Sequence, residues 1–159
     1  MQTILIPTDF TIESLGLLKT AMQECPDEQF NVVLVHGIIP DDSIQDLLFR
    51  SPNKIIKELQ STDFAEACTV IRNKFSSRIL SLKTVLFTGK TKSAFRNLLK
   101  ANAVDVIVSA EHYAFQFPSR KSLDLAAFIR SSEVKKLNME WESRPDLPEK
   151  NKLAELFAL

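Results

Sequence analysis

Apolar residues fall along this chain in two alternating patterns. Short continuous runs rich in Val, Ile and Leu are separated by longer stretches in which apolar residues recur every three or four positions. The first pattern predicts strands buried on both faces, and the second predicts helices that cover them. Residues 2–7 are the first run and end in Pro7, which cannot donate to a sheet. Residues 8–11 then read as a turn. Thr11 reads as a helix cap, with Glu13 in the first turn where the helix dipole favours acid. Leu15, Leu18, Ala21 and Met22 carry a helix over residues 12–24, which Pro26 and Asp27 break.

The alternation continues. Residues 30–36 form a second buried strand, and 37–43 a loop. Ser51 and Pro52 look like a cap with proline in the first helical position. The helix they open is expected to reach about residue 77, with a break near residues 61–63 where Asp63 and Glu66 suggest a new cap. Phe64, Ala67, Cys68, Ile71 and Phe75 are the stripe that should face the sheet. Residues 80–87 form a third strand. The turn at 88–91 leads to a helix with Phe95, Leu98 and Leu99 on one face. Residues 104–109 form a fourth strand, 110–119 a loop and 122–131 a helix. Residues 134–141 form a fifth strand anchored by Val134, Leu137, Met139 and Trp141. Strands alternating with helices imply a three-layer α/β/α sandwich with a parallel sheet and right-handed crossovers. Ligands of such sheets sit at the carboxyl ends of the strands, here the loops 7–11, 37–43, 88–91 and 109–119. Residues 1–141 form the α/β domain. Residues 142–148 read as a linker and 149–159 as a short amphipathic helix with Leu153, Leu156 and Phe157 on its apolar face.

Composition narrows the function. The chain has 159 residues, of which 45% are hydrophobic and 25% charged, so it can bury a core without disulfides or metal. Its 20 Lys and Arg balance 20 Asp and Glu, and no global field draws it to nucleic acid or to an anionic membrane. No apolar run approaches the ~20 residues that span a bilayer. The first residues lack the basic start of a secretory signal, so the cytoplasm is the expected location. Cys25 and Cys68 have no metal-site spacing and read as reduced, partly buried thiols. Only three glycines occur, Gly16, Gly37 and Gly89, and no two are close enough to form a phosphate-cradling loop. There is no nucleophile elbow and no paired-histidine metal motif. Asp9, Glu111 and His112 could meet at the carboxyl ends of the first and fourth strands, which is compatible with hydrolysis without demonstrating it. The chain is therefore read as not an enzyme.

Four fragments, in order, resemble the universal stress protein family over residues 1–141. Ile4-Leu5-Ile6-Pro7-Thr8-Asp9 matches that family's first strand and its Pro-Thr-Asp. Leu34-Val35-His36 resembles its second strand, Thr88-Gly89-Lys90 its third helix start, and Asp105-Val106-Ile107-Val108 the strand entering its nucleotide loop. The resemblance implies the UspA-like fold with five parallel strands in the order 3-2-1-4-5. It also implies an ATP loop of the form G-x-x-G, nine residues, then G-[ST]. Here Ala110 and Tyr113 stand at the first two glycines, and Leu123 and Asp124 at the Gly-Ser pair. The spacing is kept and every glycine is gone.

Two readings follow. The favoured one is a non-enzymatic, universal-stress-like protein that acts in the stress response through dimerisation and an unknown protein partner, with no cofactor. The other is an AMP- or ATP-type nucleotide or small-molecule regulator using the loop at 109–124. Its weak site candidates are Pro7, Thr8, Asp9, Ser109, Ala110, His112, Tyr113, Leu123 and Asp124. Asp9 has a competing role as a turn residue that caps the next helix, and that role is favoured. Arg120, Lys121, Arg130, Lys135 and Lys136 outnumber Asp124 and Glu133 locally. That excess could receive an anion or an acidic partner, although solvated charge is the commoner reading. The resemblance further implies a homodimer paired through residues 134–141, a candidate edge strand.

Overall fold

A computed structural model describes residues 1–39, 51–109, 113, 115–138 and 157. The strands are β1 (Gln2–Pro7), β2 (Phe30–Ile38), β3 (Ile79–Phe87), β4 (Val106–Ser109), β5 (Ser122–Leu123) and β6 (Lys135–Asn138). The helices are α1 (Gly16–Glu24), α2 (Pro52–Leu59), α3 (Thr62–Lys74), α4 (Lys92–Ala101) and α5 (Ala126–Ser131), and a 3-10 turn at Ile12–Leu15 leads into α1. The sheet runs β3-β2-β1-β4-β6. Every pair along that path is parallel. This is the expected order, with β6 as the fifth parallel strand.

Side-chain alternation along the strands builds the two core layers. Ile4 and Ile6 of β1, Val32 and Leu34 of β2, and Val106 and Val108 of β4 meet α1 and α3 on one face. Leu5, Val33, Val35 and Ile107 meet α4 and α5 on the other. Both faces are covered, which is why the central strands read as unbroken apolar runs. The stripe expected on α3 faces inward, with Phe64, Ala67 and Ile71 buried and Cys68 and Phe75 half-buried against them. Phe157 of the tail is buried in this same layer, its ring 5.8 Å from that of Phe75. Phe157 therefore docks on its own chain.

Several expected boundaries shift for local reasons. Residues 12–15 form 3-10 rather than α-helix, and the Thr11 hydroxyl caps them by accepting from Ser14 N at 3.3 Å. The break between α2 and α3 occurs where expected, but Ser61 is the cap rather than Asp63, accepting from Phe64 N at 3.1 Å. The α3 helix stops at Lys74, short of residue 77. β2 runs two residues past His36, so Gly37 and Ile38 are strand rather than loop. Ser122 and Leu123 are not helical. They pair antiparallel with Ile38 and Gly37, and the helix begins only at Ala126. In the final strand, residues 135–138 are confirmed. Residues 139–141, the linker at 142–148, and Leu153 and Leu156 lie outside the described residues.

Two contacts fix the chain where helices end. Arg78 reaches the end of α1, donating to Met22 O at 3.0 Å and to Cys25 O at 2.6 Å, carbonyls that have no helical partner. After α4, Ala103 N bonds Lys100 O and Val104 N bonds Leu99 O. This is the double bond of a Schellman end, in which the left-handed residue is usually glycine. Here it is Ala103, at φ 51°. The strained alanine costs about 1 kcal/mol. Ala103→Gly is therefore expected to raise the unfolding free energy by up to about that amount, as measured by urea denaturation.

Candidate functional site

The carboxyl ends of β1, β2 and β4 open on a turn at residues 8–11. Thr8 N extends the β1–β2 ladder by bonding Val35 O at 2.9 Å. The Ser14 hydroxyl donates to Thr11 O at 2.7 Å, so its 2.8 Å contact with Thr8 must be received from the Thr8 hydroxyl. Thr8 Oγ1 in turn accepts from Phe10 N at 3.1 Å. The turn forces Phe10 into the left-handed region at φ 62°, a strained conformation for a bulky residue. Its ring lies between His36, at 4.7 Å, and Phe64, at 5.6 Å.

Asp9 is almost wholly buried, with 1% of its surface exposed. Its carboxylate accepts four hydrogen bonds. Thr11 N and Thr11 Oγ1 donate to Oδ1 at 3.1 and 2.5 Å. Tyr113 Oη and Gln116 N donate to Oδ2 at 3.1 and 2.8 Å. Asp9 is thus a turn residue, while the cap of the next helix is Thr11, and it also anchors the chain that follows β4. Burial, followed by the Asp9 charge, pushes the Tyr113 phenol far above its ordinary pKa, so it stays a neutral donor.

Above this turn lies a cleft of about 400 Å³. Of the sequence candidates, Pro7, Thr8, Ser109, Tyr113, Leu123 and Asp124 line it, whereas Asp9 does not. Ala110, Glu111 and His112 lie outside the described residues. The sequence reading did not place Val35, Phe115, Phe117, Leu125 and Ile129 here, and it had counted Arg130 only among the local cations. The aromatic signal was present, because Tyr113, Phe115 and Phe117 alternate as on one side of an extended chain. Phe115 and Phe117 stack with centroids 5.6 Å apart and planes within 8°, and Tyr113 meets Phe115 edge-on at 4.7 Å.

The segment at the Gly-Ser position is filled by side chains and by its own hydrogen bonds. Leu123 belongs to β5, paired with Gly37. A Cβ on Gly37 would sit 2.7 Å from Leu123 O, so only glycine lets β5 approach this closely. Asp124 Oδ1 accepts from Ala126 N at 2.9 Å and so occupies an amide at the start of α5. Among the described residues, the charges lining the cleft are Asp124 and Arg130. Among the described residues, no group of three or more His, Cys, Asp or Glu is arranged to hold a metal.

No family model matches the sequence, and no curated protein matches it significantly. Solved structures do match its shape. A hypothetical protein, MJ0577, superposes with a TM-score of 0.57 at 18% identity, covering 90% of this chain and 98% of its own. A universal stress protein in complex with cAMP superposes with a TM-score of 0.52 at 16% identity, covering 87% and 97%. This chain has the fold of the universal stress proteins. A third structure, of the hypothetical protein PH0823, matches with a TM-score of 0.52 at 17% identity, covering 87% of this chain and 96% of its own. Among the described residues, no helix is long and apolar enough to cross a membrane.

On this universal-stress fold, His36 ties the site together from within. It is 1% exposed. Thr8 O can only accept, so Nδ1 carries the proton of that 2.9 Å bond, and Nε2 accepts from the Ser122 hydroxyl at 2.9 Å. The ring therefore links the β1 turn to β5. Sequence reasoning missed this role because Ser122 lies 86 positions away. Burial lowers the His36 pKa, against smaller raising effects from the Thr8 carbonyl and the Asp9 charge. The unfolded chain takes up this proton near pH 6.5 and the folded chain only at lower pH. The His36 contribution is thus fully present above pH 6.5 and is lost as pH falls through the folded value, at up to about 1.4 kcal/mol per pH unit. Urea unfolding at stepped pH should show this loss in the parent protein. The His36→Gln variant should be less stable at neutral pH and should show a shallower decline between pH 7 and pH 5.

Proposed function

We propose that this protein is a non-enzymatic binding protein of the universal-stress type, located in the cytoplasm, which serves the stress response through homodimerisation and a protein partner, without ATP. The observation that carries this reading is the state of the phosphate side of the cleft. Leu123 projects from a strand where the family has glycine. Asp124 brings a negative charge and already occupies the Ala126 amide. Asp9 is spent on four internal hydrogen bonds. A triphosphate entering here would meet a carboxylate in place of free amides, which is repulsive. Among the described residues, Asp124 is the carboxylate that lines the cleft, and its hydrogen bond to Ala126 N weakens it as a general base.

Calorimetry with ATP, AMP and cAMP is expected to show no dissociation constant tighter than about 1 mM. The double change Leu123→Gly and Asp124→Ser should improve ATP affinity, since it removes bulk and charge while serine can still cap. The second reading, a nucleotide- or small-molecule-binding regulator, draws support from the cleft itself, which is large enough for a small ligand. A micromolar constant for any of the three nucleotides in the parent protein would establish that reading instead.

The homodimer is proposed through β6. Among the described residues β6 pairs only with β4, so its other edge is open to a second copy across a two-fold axis. Lys135 and Lys136 protect that edge in part. Light scattering at micromolar concentration is expected to give twice the 18.0 kDa chain mass, and the mass of one chain would refute the dimer.

A further inference from the structure

A second depression, of about 360 Å³, lies between α4, α5 and the segment before β6. Its apolar lining includes Phe95 and Leu99 of α4, Phe128 of α5, and Val134. Lys92, Arg96 and Lys100 also line it. They are spaced by four residues, so they stand one above another on a single ridge of α4, about 6 Å apart along the axis and about 12 Å from end to end. All three are exposed. None is in an ion pair among the described residues. Among the described residues, Glu133 is the single acidic residue of the lining. The chain as a whole is neutral, so this is a local concentration of charge rather than a reflection of composition.

We propose that this groove docks an acidic amphipathic helix of a partner protein. A helix carrying carboxylates at every fourth position repeats at the same ~6 Å as the cation ridge, and can set each carboxylate against one cation. Its neighbouring apolar stripe then meets Phe128 and Val134, which are only half-buried in the free protein. The apolar floor supplies affinity and the ridge supplies register and rate. Phe157, near the end of this chain, packs in the other core layer against Phe75. The inference gives a site and a chemistry to the partner-binding part of the proposed function. It is independent of the cleft and of β6, so failure here leaves the nucleotide and dimer measurements to judge that reading on their own.

The test is fluorescence anisotropy with the full chain and a dye-labelled helical peptide of about 18 residues, roughly five turns, with Glu at every fourth position beside a Leu stripe. The control peptide has the same composition scrambled, so that Glu and Leu no longer segregate. The expected result is saturable binding of the first peptide, weakened by salt, and at least about tenfold weaker binding of the scramble. Lys92→Glu/Arg96→Glu/Lys100→Glu should lose binding by at least about tenfold with an unchanged melting temperature, because the three side chains are exposed. If that variant fails to fold, Lys92→Ala/Arg96→Ala/Lys100→Ala keeps strong helix formers and should show the same loss in smaller measure. Equal binding of the scramble, undiminished binding by the folded variants, or no binding at low salt would overturn the proposal. So would phosphatidylserine vesicles or duplex DNA binding the ridge as tightly as the peptide, since the ridge would then be a general anion surface.

Discussion

The Asp9 carboxylate is the interaction on which the functional end of this molecule depends. A buried carboxylate is tolerated only when its oxygens are satisfied, and here four donors satisfy it. Two of those donors belong to the turn after β1 and two to the chain that follows β4. One charge thus joins segments more than a hundred residues apart and holds Tyr113 against the mouth of the sheet. The strain at Phe10 is sustained because the surroundings over-determine it: Thr8 receives its amide, and its ring is held between His36 and Phe64. Removal of the carboxylate would leave the Tyr113 hydroxyl and the Gln116 amide without their common acceptor.

A second clamp works in parallel. His36 links the Thr8 carbonyl to the Ser122 hydroxyl, and Gly37 permits β5 to lie close against β2. Between them, Asp9 and His36 fasten both ends of the segment running from β4 to α5. The segment contributes the rings of Tyr113, Phe115 and Phe117 and the side chains of Leu123 and Leu125 to the cleft. In the described part of that stretch, Leu123 lines the cleft and Asp124 accepts from Ala126 N. The central strand pairs, β1 with β2 and β1 with β4, are made without these residues. A fold can persist while the side chains at the ends of its strands differ.

The fold was legible in the sequence because its determinants are local and periodic. The unbroken apolar runs at Ile4–Ile6, Val32–Val35 and Val106–Val108 can be satisfied only by a sheet covered on both faces. The caps at Thr11 and Ser51 and the stripe from Phe64 to Ile71 specify helices within a few residues. The candidate site was legible in part. Pro7, Thr8, Ser109, Tyr113, Leu123 and Asp124, candidates from the strand ends and from the resemblance to the family's loop, line the cleft. The helix expected from Ser122 was wrong at its start, because pairing with Gly37 and Ile38 is a long-range gain that no local pattern signals.

What the sequence determined by itself was therefore the order of the main strands and helices and the two apolar layers. Both follow from residue type and spacing along the chain. What only the tertiary structure decided was how the described residues after β4 are held. The sequence offered Asp9 as a ligand-facing acid or as a turn cap, and only its burial beside Tyr113 and Gln116 made it the anchor of a segment more than a hundred residues away. His36 offered no local signal at all, since its tautomer and its role are set by a carbonyl of one strand end and a hydroxyl of another. The physical reason is the same for both residues. A polar group taken out of water must find partners, and which partners it finds depends on the packing of the whole chain rather than on its neighbours in sequence.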